Sequence, residues 1–122
     1  MRLNEVHYDD SKPVDGYGPG FFRVGGVVIE GGVLLLPSGV SPWDGYEASA
    51  PLLAAAPEID VLLLGTGAEI AHIPAKLRDA LEGAGVGLEV MASPSACRTY
   101  NVLLAEGRRI GAAILPVPGG SG

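Results

Sequence analysis

Cysteine is almost absent from this sequence, since Cys97 is the single cysteine among 122 residues. One thiol cannot form an intramolecular disulfide, so we expect no disulfide framework. Aromatic residues make up only 6% of the chain, and the core must therefore be built from Val, Ile, Leu and Ala. Because 48% of the residues are hydrophobic, the chain has enough apolar side chains for such a core.

Long apolar runs and an excess of positive charge are also missing. The longest apolar runs hold about five residues, whereas a membrane-spanning helix needs roughly 20, so we expect no direct membrane insertion. No basic segment followed by an apolar one opens the sequence, which predicts a cytoplasmic protein without a secretory signal. The net charge of −6 repels phosphate backbones, and nucleic acid is therefore not expected as a partner.

The length of the chain fits one domain. Residues 1–20 are polar and broken by Pro and Gly, and we interpret them as an extended arm or a loosely attached first strand. Residues 21–117 are predicted to form a single α/β domain, and residues 118–122 a flexible tail.

The second half of the chain alternates strand and helix patterns. Residues 60–64 form an apolar run that ends sharply at Gly65, which is typical of a strand buried on both faces of a sheet. The elements predicted after it are a helix over residues 74–84, a strand over 86–91, a helix beginning at Ser93 and a strand over 109–115. This βαβαβ order predicts parallel strands joined by right-handed crossovers.

A β-hairpin is predicted ahead of this parallel core. A strand is predicted over residues 21–24, followed by a turn at Gly25-Gly26. Gly31-Gly32 then separates two β-rich runs, residues 27–30 and 33–36. A two-residue turn with positive φ suits glycine, so the pattern favours pairing of these two runs. We expect the hairpin of residues 21–36 to extend or flank the parallel sheet.

The turn at Gly65-Thr66-Gly67 is a candidate ligand site, because ligands of open α/β sheets bind beyond the carboxyl ends of the strands. The dinucleotide fingerprint G-x-G-x-x-G is incomplete, since Ile70 stands where its third glycine is needed. Glu69 would also place negative charge near a pyrophosphate. A ligand loop with Thr66 and Gly67, and a tight turn that simply needs glycine, are both compatible with this pattern.

The start of the last helix is a second candidate. Ser93 lies at its beginning, and Arg98 and Asn101 are three residues apart, so they share a face. A helix N-terminus with serine and arginine side chains could hold a phosphate or carboxylate. The alternative is an ordinary N-cap at Ser93 with a surface arginine.

No complete catalytic or metal-binding set can be drawn from the sequence. Cys97 could be a nucleophile only with a base nearby, and it also fits the apolar stripe of its helix as a small buried residue. His7, Asp9 and Asp10 cluster in the arm, but no second His or Cys group has metal-ligand spacing. The sequence therefore predicts no catalytic residue, no metal and no cofactor.

Trp43 and Tyr46 form an aromatic pair in a loop pattern that contains Asp44 and Gly45. Aromatic residues of this kind are enriched among anchors of protein interfaces. They can equally cover the edge of a sheet. Both interpretations stay open from the sequence.

Four segments together suggest a family: residues 63–67 (LLGTG), 96–103 (ACRTYNVL), 106–108 (EGR) and 18–22 (GPGFF). They resemble a family of small prokaryotic proteins of unassigned function that includes mitochondrial NADH dehydrogenase (complex I) assembly factor three. The resemblance covers roughly residues 5 to 117.

The resemblance implies an α/β/α-like domain with a central mixed sheet. For the mitochondrial branch it also implies an assembly role through contacts with other proteins of a membrane-bound complex. Thr66, Gly67, Arg98, Thr99 and Asn101 match its motif positions, and the family supplies no catalytic residue to transfer.

Two alternative functions are therefore compatible with the sequence. The first is a non-catalytic interaction protein that assists biogenesis of a respiratory NADH dehydrogenase or another membrane-associated complex, with Trp43 and Tyr46 as possible anchors. The second is a small-molecule or anion-binding domain, conceivably an enzyme, that uses Gly65-Gly67 and the helix start between Ser93 and Arg98. The oligomeric state is open.

Overall fold

The computed structural model describes residues 12–118. These residues form eight strands and three α-helices, with a 3₁₀ turn at Ala56–Glu58. The first five elements are strands, and helices and strands alternate after them. In chain order they are β1 Val14–Gly18, β2 Phe21–Val24, β3 Val27–Glu30, β4 Gly32–Leu36, β5 Gly39–Trp43, α1 Ala50–Ala54, β6 Val61–Gly65, α2 Ala75–Gly83, β7 Gly87–Met91, α3 Ser93–Ala105 and β8 Ile110–Ile114.

Two sheets are formed, one of five strands in the order β5-β4-β8-β6-β7 and one of three strands in the order β1-β2-β3. β6 pairs in parallel with both β7 and β8, while β4 pairs antiparallel with β5 and β8. The large sheet is therefore mixed, and its βαβαβ half is the one that the sequence predicts. The predicted α/β fold class is confirmed.

The large sheet is buried on both faces, because its strands alternate their side chains between two cores. One core lies between the sheet and the helices α1 and α2, and it includes Leu62, Leu64 and Leu81. The other lies between the sheet, α3 and the small sheet, and it includes Leu63 and Tyr100. The continuous apolar sequence of β6 follows from this double burial.

The predicted hairpin turn at Gly31-Gly32 is wrong. β3 pairs with β2 through a turn at Gly25-Gly26, where both φ angles are positive, at 57° and 85°. Gly32 instead begins β4, and a Cβ there would lie 2.6 Å from the Trp43 carbonyl oxygen. This glycine is needed because β5 approaches closely, so the chain leaves the small sheet at that point and enters the large one.

The predicted arm contains a strand, since β1 pairs antiparallel with β2. Residues 1–11, and with them His7, Asp9 and Asp10, lie outside the described residues, as do residues 119–122 of the tail. The division at residues 20 and 117 stays a prediction. Between residues 12 and 118, no helix is long and apolar enough to cross a bilayer.

Candidate functional site

β6 ends where three elements converge, and Gly65 allows this convergence. A Cβ on Gly65 would lie 2.8 Å from Ile114 Cγ2 and 2.9 Å from Ser93 Oγ. Real Cβ atoms do not approach other atoms so closely, so β8 and the start of α3 can reach β6 only beside a glycine. The Leu115 amide then donates to the Gly65 carbonyl at 2.9 Å, which continues the pairing past the strand end.

Ser93 ties these elements together through its buried hydroxyl. Ser93 is 0% exposed, and its Oγ accepts from the Gly67 amide at 2.8 Å and donates to the Leu115 carbonyl at 2.6 Å. Its own amide donates to the Gly67 carbonyl at 2.7 Å. Ser93 is the first residue of α3 and makes no cap hydrogen bond, so the N-cap interpretation is wrong.

Thr66 closes the loop that follows. Its hydroxyl donates to the Glu69 carbonyl at 2.7 Å and accepts from the Ala71 amide at 3.1 Å. Its amide donates to the Met91 carbonyl at 2.9 Å, which fixes the loop to the end of β7. Gly67 has a φ of 105°, a conformation that L side chains rarely adopt. These contacts give residues 66–71 one defined shape.

The outer part of this loop is exposed and carries an apolar side chain. Ile70 is 66% exposed, the highest value among the large exposed hydrophobic residues between residues 12 and 118. A pocket of about 270 Å³ lies beside it, lined by Ile70, Ala71, His72, Arg78 and Val90. Loop, α2 and β7 therefore form one surface with Ile70 at its centre, and we call residues 68–72 the Ile70 loop.

Asn101 and Arg98 do not join this cluster. The Asn101 amide group pairs with the backbone of Val14, accepting from its N–H at 2.8 Å and donating to its carbonyl at 2.9 Å. The Arg98 side chain is exposed, and its guanidinium donates to Ser95 Oγ at 3.3 Å. Of the predicted ligand residues, the structure brings together Thr66, Gly67 and Ser93.

Trp43 is the last residue of β5 and belongs to the core on the side of α1 and α2, and Tyr46 stands beside it. Trp43 is 3% exposed and its indole N–H donates to the Ala48 carbonyl at 3.1 Å. The two rings meet edge to face, with their centroids 6.1 Å apart. Tyr46 is half-buried and lines a pocket of about 460 Å³ together with Pro74 and Leu77. Partial burial raises the pKa of the Tyr46 hydroxyl.

Cys97 behaves as a core residue. It is 4% exposed and belongs to the core between the large sheet and α3. Burial raises the pKa of its thiol to about 11, and the neighbouring Arg98 offsets part of this increase. The thiol is therefore protonated at neutral pH, which disfavours a nucleophilic role.

Ile70 and Val90 are the site residues that sequence reasoning missed. From the sequence, Ile70 is singled out only because it stands where the dinucleotide fingerprint needs its third glycine. The segment between β6 and α2 holds two large apolar residues, Ile70 and Ile73. Ile73 fits the apolar stripe of the following helix, whereas Ile70 lies outside any helix or strand pattern, and that was its available signal. Val90 gives no such signal, because a buried strand requires the same residue type.

A known family matches this chain. The family described as "Protein of unknown function (DUF498/DUF598)" matches residues 14–115. The chain belongs to this family. An uncharacterised protein of Rhodobacter capsulatus is 50% identical over 119 residues, which are 98% of this chain and 96% of that relative. The family suggested by the sequence is thereby confirmed.

Members of the DUF498/DUF598 family include assembly factors. The human NADH dehydrogenase [ubiquinone] 1 alpha subcomplex assembly factor 3 is 34% identical over 115 residues. The match covers 88% of this chain and 62% of the human protein, so the chain spans less than two thirds of that relative. The solved structure of an outer membrane protein from Bartonella henselae superposes with a TM-score of 0.83 at 34% identity, covering 91% of this chain and 99% of that one.

Proposed function

We propose that this chain is a non-catalytic interaction protein that assists the assembly of a membrane-associated complex and contacts its partner through the Ile70 loop. The observation that carries the proposal is the exposure of Ile70 on a loop that its own hydrogen bonds hold in shape. An exposed loop without such bonds would lose conformational freedom on binding, which weakens association. The Gly65-Thr66-Gly67 turn then serves to shape a contact surface.

The assembly role rests on the relatives of the chain. The assembly factors named for NADH dehydrogenase are about one third identical to it over most of its length. A respiratory NADH dehydrogenase is therefore the complex we propose first. Tyr46 lies in the pocket that reaches Pro74, next to the loop, and we propose it as a second contact residue with Trp43 as its buried support. The cytoplasmic location stays a prediction.

The alternative anion-binding function has less support from the geometry. An anion at this edge would need free donors, yet Gly67 N–H, Ser93 N–H and Ser93 Oγ all donate within the protein. Pro94 has no N–H, so the first turn of α3 offers few donors. Arg98 points to Ser95, and neither it nor Thr66 lines the pockets described above.

Affinity isolation from the native cell tests this proposal. We expect the tagged wild-type chain to enrich subunits of one membrane complex, and Ile70→Glu to lose most of that enrichment, because a desolvated carboxylate opposes an apolar contact. Val102→Glu is the matched control, since Val102 is 56% exposed on α3, away from the loop. Equal capture by both variants, or no complex subunit with the wild type, would contradict the proposal.

A further inference from the structure

β7 is the outermost strand at one end of the large sheet, and β6 is its one strand neighbour within residues 12–118. The Gly87 amide donates to the Asp60 carbonyl, and the Met91 carbonyl accepts from Thr66. Backbone groups alternate sides along a parallel strand, so those of Leu88 and Val90 point away from β6. Across the described residues, no backbone hydrogen bond reaches Leu88 or Val90 from that open side.

The opposite edge of the same sheet, β5, is protected against pairing with another strand, whereas β7 is not. β5 contains Pro42, which has no N–H to offer an incoming strand. β3 also packs beside it, and residues of both strands line a shared cleft. β7 has neither a proline nor a lysine, and its one charge is Glu89. Proteins normally blunt exposed edges, so an unblunted edge favours strand addition.

The two faces of β7 carry different side chains. Val90 packs toward the core under α2 and lines the pocket with Ile70, Ala71, His72 and Arg78, which contains no acidic residue. Arg78 contacts Glu82 at 3.5 Å in an exposed pair, a weak interaction that a partner carboxylate could replace. The exposed Glu89 projects from the other face. Apolar and acidic side chains fit the first face, and a basic one fits the second.

A second copy of the chain fits this edge poorly. The antiparallel register that pairs all five residues of β7 with the same strand of another copy is centred on Glu89. It would place the two Glu89 carboxylates directly opposite each other, and like charges in that position destabilise a strand pair. The net charge of −6 on each copy adds repulsion.

We propose that the open edge of β7 binds an extended segment of the partner protein as a sixth strand. The segment carries apolar and acidic side chains on the face toward α2 and a Lys or Arg opposite Glu89. Outward backbone groups of Leu88 and Val90 supply the pairing, and the Ile70 pocket receives an apolar side chain. This inference rests on the proposed function, because it names the partner chemistry for the same surface.

The probe is a capped peptide with the sequence Glu-Thr-Val-Lys-Val-Thr-Glu, titrated into the isotope-labelled chain to about 2 mM and followed by NMR. We expect saturable shifts at Leu88, Val90 and Ile70, and slower amide exchange at Leu88 and Val90. The charge-reversed peptide, Lys-Thr-Val-Glu-Val-Thr-Lys, is the control. We expect it to bind at least about threefold more weakly, although its net charge is opposite to that of the protein.

Two variants make the test specific. Val90→Pro removes an outward N–H and should abolish binding of the probe. Glu89→Lys changes an exposed side chain and keeps the backbone groups of the edge, so the chain should remain folded. It should bind the probe at least about threefold more weakly, because two lysines then face each other. Val102→Glu should bind as the wild type does.

Four results would overturn the inference, three of them in the peptide titration. They are the absence of saturable shifts, equal binding of both peptides, and shifts confined to the cleft between β3 and β5. Dimerisation that protects Leu88 and Val90 without peptide would also overturn it, in favour of a second copy. If affinity isolation captures a complex while the peptide fails, the strand inference falls and the assembly role stands. If the peptide binds while isolation captures nothing, the assembly role falls alone.

Discussion

A single buried hydroxyl, that of Ser93, holds the loop after β6 against β8 and α3. Removing it leaves the buried Gly67 amide and the partly buried Leu115 carbonyl without this partner. A buried polar group that loses its partner costs about 1 to 3 kcal/mol. The shape of the contact surface thus depends on a residue that never touches a partner.

Ser93→Ala should therefore lower the free energy of unfolding by about 2 to 4 kcal/mol, measured by urea denaturation. Ser95→Ala is the matched control, because the Ser95 hydroxyl accepts an exposed hydrogen bond from the Arg98 guanidinium at 3.3 Å. It should change the free energy by less than about 0.5 kcal/mol. Similar losses in both variants would show that the Ser93 network contributes little.

The buried thiol of Cys97 leads to a second prediction, which concerns the stability of the fold in alkaline solution. Its pKa is about 11 in the fold and 9.0 ordinarily, so the unfolded chain releases the proton first. Stability should fall between about pH 9 and pH 11, by up to about 2 to 3 kcal/mol, through this group. In Cys97→Ala that part of the decline should be absent when both chains are unfolded by urea across this range. Identical alkaline profiles would contradict the buried thiol.

Burial of single residues was largely predictable, whereas the roles of polar residues were not. The apolar run that ends at Gly65 correctly predicts a strand with both faces covered. Ser93 lies before Pro94 and so has the sequence of an N-cap, but its hydroxyl bonds to Gly67 and Leu115. Those partners lie 26 and 22 residues away, and no local pattern contains them.

At the scale of elements, Asn101 joins α3 to β1. Its amide group forms two hydrogen bonds with Val14, as a neighbouring strand would. β1 is an edge strand of the small sheet, and this side chain anchors its first residue. Helix spacing places Asn101 on one face with Arg98, which suggests a ligand site. It cannot reveal a contact with a residue 87 positions away.

Asn101→Ala should loosen β1 without unfolding the chain. We expect amide exchange at Val14 to accelerate by about tenfold or more, since its N–H loses its acceptor, while β6 keeps its protection. Arg98→Ala, on the exposed side of the same helix, is the control and should leave Val14 unchanged. Unaltered exchange in Asn101→Ala would mean that β2 alone holds β1.

The elements of the second half and their pairing could be predicted from the sequence, whereas in the first half the strands β2 to β4 could be predicted but their pairing could not. Helix and strand periods alternate clearly from β6 to β8, so their parallel pairing could be predicted. Two glycine pairs lie close together near β3, and turn chemistry cannot decide which pair closes a hairpin. The close approach of Trp43 to Gly32 decides it, and that contact exists only in the fold.

At the scale of the whole molecule, the Ile70 loop, α2 and β7 line one surface. The core holds this surface, because Leu77 and Leu81 of α2 are buried in it and Val90 of β7 packs against it. Membership of a family that includes assembly factors is consistent with a contact role. The proposed assembly role therefore depends on whether a partner binds this surface in the cell.

The most direct measurement is the amount of assembled NADH dehydrogenase in membranes of a strain that lacks this gene, quantified on native gels. We expect assembly to fall in the deletion strain and to be restored by the wild-type chain and by Val102→Glu. We expect no restoration by Ile70→Glu produced at the same level. Normal assembly in the deletion strain, or full restoration by Ile70→Glu, would contradict the proposed assembly role.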